Sequence, residues 1–86
     1  MIHFITSRQS YERLVASSAW PPGALWLTVD VLDSFELAAL RRQGLTVTEF
    51  TSRFDVSDAV EMADALDTIR EHHPGHTLYM DGSAVT

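Results

Sequence analysis

Two arginines, Arg8 and Arg53, each close a Thr-Ser-Arg triplet that follows an apolar run, "FITSR" at residues 4–8 and "EFTSR" at residues 49–53. A guanidinium next to hydroxyls at the start of a helix suits an anion. Its fork of N–H donors matches phosphate or carboxylate, and the first backbone N–H groups of the helix point the same way. Thr6, Ser7, Arg8, Ser52 and Arg53 are therefore candidate anion-binding residues, suited to a small phosphorylated or nucleotide-sugar ligand. The competing reading is structural: Asp30, Asp33 and Asp81 fall in the same neighbourhood and can neutralise both arginines without a ligand. No glycine-rich loop follows the first apolar run, which argues against a nucleotide.

Other chemistries have thinner support. Asp30, Asp33 and Asp81 have the oxygen chemistry that Mg²⁺ prefers, but D-x-x-D is an unspecific spacing and helix capping already accounts for Asp33. In "HHPGH", helical periodicity turns His73 inward and His72 outward. Imidazolium near a helix C-terminus is favoured without any metal. His3, inside the first strand, reads as a satisfied sheet histidine. A serine nucleophile needs a histidine within hydrogen-bond reach, yet the serines at strand ends and the histidines at strand starts should lie at opposite edges of a sheet. The chain has no cysteine and no lysine. The expectation is a protein without catalytic residues, metal or cofactor.

The composition narrows the partners. At 86 residues the chain predicts one α/β domain over residues 1–86 with a single modest core. A formal net charge of −6 opposes direct nucleic-acid binding, because the phosphate backbone is drawn to surplus Lys and Arg. Neither a secretory leader nor an apolar run of roughly 20 residues is present, so the expectation is a cytoplasmic protein with no membrane partner. The acidic stripe Glu61, Asp64, Asp67 and Glu71 reads either as the solvated face of a helix or as a surface offered to a basic partner. The second version would make the protein an acidic inhibitor of a nucleic-acid-binding protein.

The elements that must position these residues follow from periodicity. Four short apolar runs, Ile2 to Thr6, Leu25 to Leu32, Leu45 to Thr51 and Thr77 to Asp81, alternate with three segments of helical period. That βαβαβαβ pattern predicts a small three-layer sandwich with a four-stranded, mostly parallel sheet. The first helix should turn Tyr11, Leu14, Val15 and Ser18 inward. The second should run from Ser34 to Gln43, and the third from about Ser57 to His73 with Ala59, Met62, Ala63, Leu66 and Ile69 inward. Thr6 with Gln9 and Asp33 with Glu36 have capping-box spacing, while Asp55 or Ser57 should cap the third helix. The second strand is apolar on both faces, as a central strand should be, and "LTVTEF" alternates like an edge. This favours strand order 3-2-1-4, with 2-1-3-4 as the alternative. Three helices divide two to one over the faces, so apolar sheet should be left undercovered. Trp20, Trp26 and Phe35 are the candidate interface anchors, of residue types that suit binding surfaces. The leading expectation is a non-catalytic interaction module, a homodimer or one that docks on a larger protein, with the small anionic ligand as the second reading.

Overall fold

In the computed structural model, which describes residues 1–53 and 55–85, the alternating runs become eight elements. They are β1 (Ile2–Ile5), α1 (Arg8–Val15), β2 (Ala24–Leu27), α2 (Ser34–Arg42), β3 (Val47–Glu49), α3 (Ala59–His72), β4 (Leu78–Met80) and β5 (Ser83–Ala84). The sheet runs β3-β2-β1-β4-β5. Its first four members are parallel, which is the favoured 3-2-1-4 order and not the alternative, and β5 adds an antiparallel edge. The fifth strand was not expected. It is made by a two-residue hairpin at Asp81 and Gly82, both with positive φ (48° and 89°), the backbone twist that a tight β-hairpin requires.

Register sorts the side chains into two cores. Ile5, Leu25, Leu27 and Val47 face α1 and α2 and pack with Leu14, Leu37 and Leu40. Ile2, Phe4, Ala24, Trp26 and Leu78 face α3 and pack with Met62, Ala65 and Ile69. Two same-direction steps from β1 to β3 put the first two helices on one face. The long return to β4 puts α3 on the other, as right-handed crossovers demand.

The helix starts show what local reading can and cannot resolve. The Asp33–Glu36 capping box forms, with Glu36 N–H donating to Asp33 Oδ1 at 2.7 Å and Asp33 N–H donating to Glu36 Oε1 at 3.2 Å. The expected Thr6–Gln9 box does not, because the Thr6 N–H and hydroxyl both donate to the Asp81 carboxylate, and Ser7 caps α1 through the Ser10 N–H instead. Asp58, not Asp55 or Ser57, caps α3 by accepting from Val60 N–H at 2.9 Å and Glu61 N–H at 3.2 Å. Asp55 is taken by the backbone N–H and hydroxyl of Ser57, which hold its carboxyl below the usual carboxylate range. The inward phases also differ: α3 buries Met62, Ala65 and Ile69 while Ala59 and Ala63 are exposed, and α1 buries Ser10 and Leu14 while Val15 is exposed. Among the described residues no helix is long and apolar enough to cross a membrane.

Candidate functional site

Helices α1 and α2 pack chiefly on β1 and β3, so the β4-β5 side of that face carries little helical cover among the described residues. The sequence pattern pointed to the one-helix face as the undercovered one. A groove of about 400 Å³ lies on the two-helix face, between α1 and the β1-β4-β5 side of the sheet.

His3 and Tyr79 contribute the sheet side of this groove. They are direct partners in the parallel β1–β4 register, so their side chains leave the sheet on the same side. Their rings stack with centroids 5.0 Å apart and planes 12° from parallel. His3 is only 4% exposed, and neither Nδ1 nor Nε2 has a hydrogen-bond partner among the described residues. This overturns the reading of a satisfied sheet histidine. Burial, followed by the nearby α-ammonium of Met1, pushes the His3 pKa below the ordinary imidazole value.

The opposite wall is α1. Ser10 is buried and its hydroxyl accepts from Arg13 Nη2 at 3.1 Å and from the Ser7 hydroxyl at 3.0 Å. Arg13 forms no ion pair among the described residues. Leu14 adds an apolar surface, and Asp81 lies at the strand end of the groove with its carboxylate committed to Thr6. His3 and Ser10, a serine of α1 and not of a strand end, thus line the same groove. Among the described residues no serine bonds the imidazole, however, since Ser10 is engaged as above and the Ser17 hydroxyl donates to the Leu14 carbonyl at 2.8 Å.

The strand-end rim, where the sequence placed its anion candidates, is occupied by carboxylates. Arg8 Nη1 lies 2.7 Å from the Glu36 carboxylate, and Arg8 Nε lies 3.4 Å from Glu12 Oε1. The Arg8 guanidinium holds the Glu36 carboxyl below its ordinary range. Arg53 pairs with Asp30, whose φ of 70° turns it out of the strand path. Ser7 is a helix cap, and Ser52 is exposed.

The three aromatic candidates meet different fates. Phe35, in the first turn of α2, is 78% exposed. Trp20 is half-buried edge-on to Tyr11 at 5.9 Å. Trp26 is 4% exposed in the α3-side core and donates from Nε1 to His73 Nε2 at 3.0 Å, so it has no surface to offer a partner. His73 is turned inward, and burial, then the neighbouring His76 and His72, keep its pKa below the ordinary value. The acidic residues Glu61, Asp64, Asp67 and Glu71 are all exposed along α3.

Fold and groove together define a small three-layer α/β domain that holds one buried, unsatisfied imidazole where its sheet runs out of helical cover. No protein family, curated protein or solved structure matches the chain.

Proposed function

We propose that the protein is a non-catalytic interaction module that self-associates through its β5 edge, the side of the sheet that α1 and α2 leave bare. The observation that carries this reading is the unequal treatment of the two sheet edges. On β3, the Thr46 carbonyl turns inward to accept from Leu25 N–H, so the Val47 carbonyl turns outward, where Arg41 Nη2 covers it at 3.0 Å. On β5, Ser83 and Ala84 are small and exposed; Val85 N–H turns inward to donate to the Leu78 carbonyl, so the Ala84 backbone groups turn outward, and among the described residues no side chain bonds them. An uncovered edge of this kind is a template for strand pairing, and an antiparallel β5–β5 contact across a two-fold axis satisfies both copies at once.

Other readings have weaker support. An anion bound at Arg8 and Arg53 has to compete with Glu36 and Asp30, which already face those guanidiniums. The acidic-inhibitor reading rests on the exposed stripe of α3 alone.

Sedimentation velocity tests the proposal. The wild-type chain should pass from monomer to dimer as its concentration rises to about 100 μM, since protomer concentration drives such an equilibrium. Ala84→Lys, which sets two like charges against each other across the two-fold, should stay monomeric with an unchanged circular dichroism spectrum. A wild type that is monomeric throughout, or a dimer indifferent to Ala84→Lys, overturns it.

A further inference from the structure

We propose that the groove between α1 and the β1–β4 pair binds a small carboxylic acid with an apolar or aromatic body. Its carboxylate is held between Arg13 and the His3 imidazole. Two independent observations converge on this ligand. His3 is buried with both ring nitrogens shut off from water and without a partner among the described residues, an arrangement that native interiors rarely keep unless something supplies the missing bond. Arg13, on the facing wall, has no carboxylate of its own among the described residues and makes a single neutral contact, to the Ser10 hydroxyl.

The charge follows from that pair. Burial keeps His3 neutral, with one N–H to donate, and Arg13 adds a cationic fork, so the complementary group is an acceptor carrying negative charge. The body of the ligand follows from the walls. Leu14, Ala19 and the Tyr79 ring offer apolar surface, and about 400 Å³ lies within the range of small-molecule sites. Tyr79, half-buried and stacked on the imidazole, is the side chain whose rotation would open the ring nitrogens to the carboxylate. The inference does not depend on self-association.

Phenylacetate is a suitable probe, followed by NMR of the His3 and Tyr79 ring resonances in both the wild type and Ala84→Lys. Saturable shifts of both rings are expected in each protein. Neutral phenylacetamide should bind at least tenfold more weakly than phenylacetate, and Arg13→Met should weaken phenylacetate by at least tenfold. The proposal falls if phenylacetate gives no saturable shift by about 10 mM, well above a millimolar Kd. It also falls if the amide binds as well as the acid, or if Arg13→Met binds like the wild type. Saturable binding in a chain that never dimerises would sink the self-association reading and leave this one standing.

Discussion

His3 and His73 are the same residue type set against opposite faces of one sheet, each beside an aromatic ring, and they end in opposite states. His73 accepts the Trp26 indole N–H, next to a core that the 14-residue helix α3 closes. His3 stacks on Tyr79 and has no hydrogen-bond partner among the described residues, on the side of the sheet where α1 packs chiefly on β1. Where helical cover is continuous, a polar group completes the core. Where cover runs out, the same group is left as unspent binding capacity.

The closed face should be the costly one to disturb. Ile69, 1% exposed, anchors α3, and Ile69→Ala should lower the unfolding free energy by about 2–5 kcal/mol in urea titration. A much smaller loss would mean that the α3 face can collapse around the gap. His73→Phe should cost about 1–3 kcal/mol, because it removes the acceptor and leaves the buried Trp26 N–H unpaired. A neutral His73→Phe would erase the distinction between the two histidines.

Acid should weaken the fold through both rings. Their folded pKa values lie below the ordinary value of about 6.5, so the unfolded chain takes up protons first as pH drops. Their contribution is complete above about pH 6.5 and drains away as pH falls below it, before the carboxylates Glu36 and Asp55 lose theirs in a more acidic range. Thermal melts between pH 7 and pH 5 should fall less steeply in His73→Phe than in the wild type. The smallest effect belongs to the open side. His3→Phe replaces an unsatisfied imidazole with an apolar ring and should be neutral, or stabilising by up to about 1 kcal/mol. A loss as large as that of His73→Phe would show that His3 has a structural partner after all.

The frame of this molecule was readable from periodicity. Alternating apolar runs announced the βαβ units, the doubly apolar second strand marked an interior strand, and Asp33 with Glu36 marked a helix start that forms as written. What escaped was decided at long range. Thr6 looks like a cap from its neighbours, but its hydrogen bonds go to Asp81, which lies 75 positions along the chain. The β4–β5 hairpin did carry a local signal, since Asp-Gly is the strongest two-residue hairpin dipeptide, and reading Asp81 as a strand-end acid hid it.

The groove could be found only in part. A histidine inside "IHFI", a strand buried along its whole length, is a polar residue in need of a partner, and that much is visible in one dimension. Whether a partner exists depends on how far α1 extends over β4, a distance that no pattern of hydrophobic residues encodes. The rim arginines illustrate the converse. Their residue types fit an anion, yet the surrounding aspartates and glutamates were also in view, and the carboxylates face them in the fold.

The Arg41 side chain over the Val47 carbonyl carries a consequence for how such a domain could grow. A ribbon with two usable borders adds copies indefinitely and becomes a filament. If β5 pairs as proposed, the guanidinium over the Val47 carbonyl would disfavour addition at the other border and hold the assembly at a pair.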